Sequence, residues 1–293
     1  MKKFPIKRFD PKTSRVLITF VIPERAFTYF SQPTLHKKSY KHLYKENIEY
    51  FFNHGEINND LTKTCFVING KKDSLGIDFG EKNTLERENT YGDFAGFYHS
   101  IKSFGEDNFD FFIFINDTCR GPFLPDYIKS NTSWIDLFLD KIDKRVRLVG
   151  PCWNWTDTDR KKGHLHIQSA CWGTDRLGIQ MLLESRVLKA DYNKELGLSN
   201  FTDKNFKRRY IHWCEIGMSK VIKDNGHKIK PFMMSQYEYP DIQIPSGDCQ
   251  KPNKYYGSTI HPFDAMFLKT NRIYDINLQN ICRWQDLKLK ELC

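Results

Sequence analysis

No run of eighteen apolar residues occurs in the chain, so no segment reads as a membrane-spanning helix. No two cysteines form a C-x-x-C pair, which argues against a zinc ribbon. There is no internal repeat, no low-complexity tract and no evident linker, and the 293 residues are read as one domain with a sizeable core. The first residues, MKKFPIKRFD, are basic but lack the apolar stretch of a secretory signal. The eight cysteines are Cys65, Cys119, Cys152, Cys171, Cys214, Cys249, Cys282 and Cys293. Several sit inside apolar runs such as TCFVI, SACWG and HWCEI, where a free thiol behaves as a small buried hydrophobe. These features lead to the expectation of a soluble protein in a reducing, cytoplasmic compartment.

Aromatic residues are plentiful. They make up 15% of the chain, with 23 Phe, 14 Tyr and 6 Trp, and this speaks against disorder. The net charge is +9, which fits a solvated surface, an anionic substrate, a nucleic acid or a membrane surface. The Lys and Arg residues are dispersed and the aromatics fall in core-like runs, so nucleic-acid binding is disfavoured.

Periodicity alternates along the chain. Residues 15–22, 63–70, 109–116 and 145–152 read as buried strands. Residues 42–55, 93–105 and 133–143 read as helices, with Gly55 and Gly105 past two ends and Ser133 capping the third. This β-α-β-α-β-α-β order predicts an α/β fold with a mostly parallel sheet covered on both faces. Beyond residue 152 the pattern loosens: a strand over 164–173, helices over 175–188 and 203–226, a short strand near 227–233, and a weakly periodic tail (235–293) expected to wrap over the sheet.

Polar residues gather where the predicted strands end, which in parallel sheets is the ligand side. FDFFIFI runs into Asn116-Asp117-Thr118. RENTYGDFAGFY (87–98) brings Arg87, Asn89, Gly92 and Asp93 to a turn that suits close approach of a ligand to backbone. HLHIQSACWGTDR (164–176) carries His164, His166, Gln168, Ser169, Trp172 and Asp175. His164 and His166 share one strand face, a possible metal spacing without a third ligand nearby. Glu215 stands among apolar neighbours on a helix, and His261 and Asp264 interrupt the run TIHPFDAMFLK. Each of these residue types also has an ordinary use as a turn cap, a helix start or a paired core group.

The blocks RENTYGDFAGFY, FFIFINDTCRGPF, LVGPCWNW, HLHIQSACWGTDRLG and CEIGMSKVIKDNG, in this order, resemble a family of glycosyltransferases related to the rhamnan-synthesis proteins of bacterial polysaccharide operons. They are similar also to proteins of large algal viruses of the chlorovirus type that build capsid glycans. The resemblance spans roughly residues 60–235. It implies a GT-A-like single domain, residues 1–293, with a nucleotide-sugar-binding half (about 1–130), an acceptor-binding half (about 131–293) and an irregular C-terminal tail. It implies an inverting glycosyltransferase that moves xylose, rhamnose or another sugar from a nucleotide sugar, UDP-linked by preference, to a glycan or glycoprotein acceptor. A viral protein of this kind would work in the host cytoplasm.

By the same resemblance, Arg87, Asn89, Gly92, Asp93, Asn116, Asp117 and Arg120 face the donor. Trp153, Trp155, His166, Gln168 and Trp172 face the acceptor, the indoles serving as stacking platforms. Asp117 and His261 would hold a divalent cation, Mn or Mg, on the diphosphate. Asn116 stands where such enzymes carry the first acid of a D-x-D motif, and an amide holds a hard cation less strongly than a carboxylate. Arg120 and the basic tail are the alternative source of positive charge. Glu215 is the expected general base and Asp175 its rival. Two other functions remain open at this point: an inactive GT-A-like glycan-binding protein, and a basic nucleic-acid-binding protein.

Overall fold

Every second residue of Val16–Ile22 faces the same side of its strand, yet all seven residues are buried. Such a strand needs cover on both faces. The computed structural model describes residues 8–24, 40–128, 131–156, 164–192, 206–233, 247–273 and 276–292. Its strands, in chain order, are β1 (Val16–Pro23), β2 (Thr62–Asn69), β3 (Thr84–Arg87), β4 (Phe111–Asn116), β5 (Cys119–Arg120), β6 (Val146–Gly150), β7 (Trp153–Thr156), β8 (His164–Ile167), β9 (Cys171–Asp175), β10 (Lys228–Pro231), β11 (Gly247–Asp248) and β12 (Leu268–Lys269). Seven of them form the central sheet in the order β10-β6-β9-β4-β1-β2-β3. All pairings in it are parallel except those of β9, which runs antiparallel to both β4 and β6. The architecture is thus α/β with a mostly parallel sheet, as the alternation predicts.

Helices cover both faces. Helix α1 (Tyr40–His54) and helix α3 (Trp134–Leu139) pack with Val16, Ile18, Phe20 and Ile22 on one side. Helix α2 (Gly92–Phe104), helix α4 (Arg176–Glu184) and helix α5 (residues 206–224) pack with Leu17, Val21, Phe112 and Phe114 on the other. Helix α5 is three contiguous pieces: Phe206–Tyr210, a π-helical turn Ile211–Ile216, and Gly217–Asp224. The α2 face approaches the sheet closely, since a Cβ on Gly96 would lie 2.9 Å from both methyls of Val21. Ser133 caps α3 in a reciprocal capping box with Asp136, as its position in the sequence suggests.

Three expectations change. The strand predicted over 164–173 is two strands, β8 and β9, in different sheets, because the chain turns at 168–170. Strand β3 is a further parallel edge strand that sequence periodicity does not reveal. The tail is more regular than its pattern suggests: β11 pairs with β7, β12 pairs with β5, and Ile276–Leu292 is a helix.

Asp175 belongs to this scaffold. It ends β9 opposite Phe111, the first residue of β4, and so lies at the amino edge of the parallel strands. Its Oδ1 caps α4 by accepting the Gly178 N–H at 3.0 Å, and its Oδ2 accepts from the buried Arg147 guanidinium. Arg147 is 0% exposed, and its Nε and Nη2 make no hydrogen bond among the described residues. Asp175→Ala would strand a buried cation, and unfolding in urea should show a loss of about 3–5 kcal/mol. A loss below about 1 kcal/mol, the size of an exposed pair, would contradict this role.

Candidate functional site

The chain leaves β1 towards β2 on one side, whereas β4 lies on the other, so the strand order reverses between β1 and β4. The crevice at the carboxyl ends of two such strands is the favoured ligand position in open α/β sheets. Asp117 lies there: its N–H donates to the carbonyl of Val21 at 3.2 Å, bridging the two strand ends. The residue is only 2% exposed.

The antiparallel strand β9 delivers the next residues to the same edge. Because β9 runs backwards, its start lies at the carboxyl end of β4, and the Asn116 N–H donates to Ala170 at 2.9 Å. Ser169 therefore stands beside the crevice. Its hydroxyl donates to Glu215 Oε2 at 2.6 Å, and His166 Nε2 lies 3.3 Å from Glu215 Oε1. Glu215 projects from the π-helical turn of α5. Burial alone would raise its pKa. The His166 hydrogen bond, the nearby charges of Lys269 and His166, and the Ser169 hydroxyl outweigh that cost and hold the carboxyl at about 2.

On the α2 side, Tyr91 and Gly92 both have positive φ, 54° and 62°, and turn the chain sharply into the helix. The Tyr210 hydroxyl of α5 accepts the Phe94 N–H at 2.8 Å and leaves Gly92 little room for a side chain. Asp93 lies in the first helical turn rather than at the cap. Its Oδ2 accepts from the Asn116 amide at 2.7 Å. Burial pushes its carboxyl above the ordinary range; the Asn116 bond and the Lys269 charge oppose this, and Glu215 adds to it. Arg87 and Asn89 shape the approach. Arg87 donates to Asn69 Oδ1 at 2.7 Å and to the Thr90 carbonyl at 3.0 Å, and Asn89 donates to the Glu24 carbonyl at 2.7 Å.

The third group comes from the tail and was not singled out by sequence. Pairing of β12 with β5 sets Lys269 opposite Cys119, immediately beyond Asn116-Asp117-Thr118, and the Thr270 N–H donates to the Thr118 carbonyl at 2.9 Å. Asp248 accepts from Gln168 at 2.7 Å and lies 3.2 Å from Arg272 Nε. The charges of Glu215 and Asp248 raise the Lys269 ammonium above its ordinary value against the lowering effect of burial. The only sequence signal for Lys269 was a cation closing the apolar run AMFL.

Asp93, Asn116, Asp117, His166, Gln168 and Glu215 thus converge on one edge, as expected for a shared site. Other expectations do not hold. Arg120 is a structural clamp: it donates to Asn47 Oδ1 at 2.8 Å and to Glu46 at 2.8 Å, tying α1 to β5. Trp172 is 0% exposed, packed on Phe94, Phe97 and Phe114, and offers no face to a sugar. Trp153 is buried in the same cluster. The Trp155 side chain lies outside the described residues, as does that of His164. Asp175 is at the opposite edge of the sheet. His261 caps the short helix Pro262–Ala265 through Nδ1, 3.3 Å from the Phe263 N–H, and packs on Phe263.

Several of the donors around the expected divalent cation are already engaged within the protein. Asn116 Oδ1 already accepts from the Thr118 N–H at 3.1 Å and hydroxyl at 2.6 Å. Asp93, Glu215 and Asp248 are each engaged by a protein donor or cation. Among the described residues no three His, Cys, Asp or Glu side chains gather as an all-protein metal cage, whereas a cation shared with a diphosphate needs only one or two carboxylates. The chain matches no protein-family model and no curated protein.

The Glu215 carboxyl carries a clear pH signature. Its folded pKa is depressed from 4.5 to about 2, so its stabilising contribution is fully present above about pH 4.5 and is lost as pH falls towards 2. The stability advantage of the native protein over Glu215→Gln should shrink by on the order of 3 kcal/mol between about pH 6 and pH 2. Urea unfolding across that range checks it, and a difference that does not change with pH would contradict the depressed pKa.

Proposed function

We propose that the protein is a nucleotide-sugar-dependent glycosyltransferase of GT-A-like architecture that inverts the configuration of the transferred sugar. The observation that carries the reading is the meeting of an ionised carboxylate, Glu215, with the Asp117 turn and a cationic pair, Lys269 and Arg272, at the reversal point of a mostly parallel sheet. A nucleoside diphosphate needs a crevice of this kind at strand ends and positive charge beside it. An acceptor alcohol needs a base on the other side of the anomeric carbon. The sequence resemblance to glycosyltransferases points the same way. The donor is a UDP-linked or similarly activated xylose, rhamnose or related sugar, and the acceptor is a glycan.

In the reaction the acceptor oxygen attacks the anomeric carbon while its proton passes to Glu215. The bond from that carbon to the β-phosphate oxygen breaks, and its electron pair leaves with the nucleoside diphosphate. One displacement gives an inverted product. Ser169 and His166 hold Glu215 in position from two sides. A carboxylate held at about 2 is always ionised at neutral pH but is a weak proton acceptor, so substrate binding must relax that hold before it acts.

Glu215→Gln keeps shape and hydrogen bonding but cannot take a proton. Its kcat for sugar transfer should fall by about 10²–10⁴-fold while UDP does not bind more weakly. The product of the native enzyme should show inverted anomeric configuration by NMR. A near-normal rate in the folded variant, or a retained configuration, would overturn the assignment.

A further inference from the structure

Opposite Asn116-Asp117-Thr118, where a metal-dependent enzyme of this kind needs its cation, the chain sets basic side chains. Lys269 is fixed by backbone on both sides: its N–H donates to Gln250 Oε1 at 2.6 Å, and its carbonyl accepts from the N–H groups of Arg272 at 2.9 Å and Ile273 at 3.0 Å. The turn throws Lys269 and Arg272 towards one region. Arg272 Nε lies 3.2 Å from Asp248 as an ion pair without hydrogen-bond geometry, and the pair is partly open to solvent, with side-chain exposures of 28% and 11%. The Lys269 ammonium makes no side-chain hydrogen bond among the described residues. Lys207, in the first turn of α5, feels both cations: burial lowers its pKa first, and repulsion from Arg272 and Lys269 lowers it further. An anion brought between these cations would be attracted by all three, and would add to the charges of Glu215 and Asp248 that Lys269 already feels.

We propose that Lys269 and Arg272, with Lys207 at the rim, form the cradle for the diphosphate of the nucleotide, supplying from the protein the positive charge that a divalent cation would otherwise bring. The proposal rests on the glycosyltransferase reading and specifies how that site handles its leaving group. As the bond to the β-phosphate oxygen breaks, the negative charge that develops falls next to the Lys269 ammonium. Lysine acts here as a point charge, and Arg272 offers its two amino groups to phosphate oxygens.

The cradle also answers the weakness of Glu215 as a base. In the empty site the Lys269 charge helps to depress the Glu215 carboxyl. A diphosphate drawn onto Lys269 neutralises that charge and adds negative charge of its own, so Glu215 becomes a better proton acceptor when the donor is bound. Donor binding and activation of the base are then one event.

The test is calorimetric titration of the full chain with UDP and with inorganic pyrophosphate, in EDTA and again in Mn²⁺. The proposal expects UDP to bind in EDTA, with Mn²⁺ changing its Kd by less than about threefold. It expects Lys269→Gln to weaken UDP and pyrophosphate by about ten- to hundredfold, the loss of one charge-assisted hydrogen bond, with Lys269→Arg restoring most of it. If Lys269→Gln lacks a cooperative melting transition, Lys207→Gln and the salt dependence of UDP binding by the native chain serve instead. Both should show weaker binding as charge is removed or screened. Binding that requires Mn²⁺ and is indifferent to Lys269 and Lys207 would overturn the cradle while leaving the glycosyltransferase reading intact. Failure of UDP and of every other nucleoside diphosphate to bind under either condition would overturn both.

Discussion

One strand runs against its neighbours, and the site depends on it. Strand β9 lies between β4 and β6 and is antiparallel to both. Had it been parallel, Ser169 and Ala170 would sit at the amino edge and Asp175 at the carboxyl edge. Reversed, it brings the 168–170 turn against the end of β4, where the Asn116 N–H is held by Ala170. The carboxylate beside that turn is then Glu215, reached through Ser169 and His166, while Asp175 is left at the far edge to hold Arg147. The direction of a single strand separates two acidic residues that look interchangeable in the sequence.

The second constraint is electrostatic. Asp93, Glu215 and Asp248 share the carboxyl edge with Lys269, Arg272 and Lys207, all of them half-buried. Buried charges of this kind persist only when paired or hydrogen-bonded. Asn116 ties Asp93, Ser169 and His166 tie Glu215, and Gln168 and Arg272 tie Asp248. Such a set is balanced enough to fold and tense enough to respond to a charged ligand. Its balance depends on the tail, which crosses back over the sheet to pair β12 with β5 and is locked through Thr270 to Asn47 at 2.8 Å.

Local pattern made much of this legible. Runs dominated by apolar residues marked β1, β2, β4 and β6, because strands covered on both faces have little polar side to show. The abrupt change at Asn116-Asp117-Thr118 marked a strand end on the ligand side, and Glu215 stood out as a charge among apolar residues. What escaped was set by long-range pairing. The turn at Gln168-Ser169-Ala170 has neither glycine nor proline, so β8 and β9 read as one strand. Strand β3 is short and only half-buried, with no apolar stripe to betray it. Two-residue strands such as β12 have no local signature, and Lys269 acquires its surroundings from Cys119, Gln250 and Glu215, all remote in sequence except Gln250. Trp172 and Arg120 misled for the opposite reason: residues that recognise ligands elsewhere are here consumed by the core and by a clamp on α1.

The central claim is that a nucleoside diphosphate occupies the carboxyl edge between β1 and β4. Hydrogen–deuterium exchange with and without saturating UDP reads that location directly. The account predicts slowed exchange in peptides covering 89–96, 116–120 and 268–272, with the amino edge around Arg147 and Asp175 unchanged. Protection confined to other segments, or none at a concentration where binding is saturated, would contradict it.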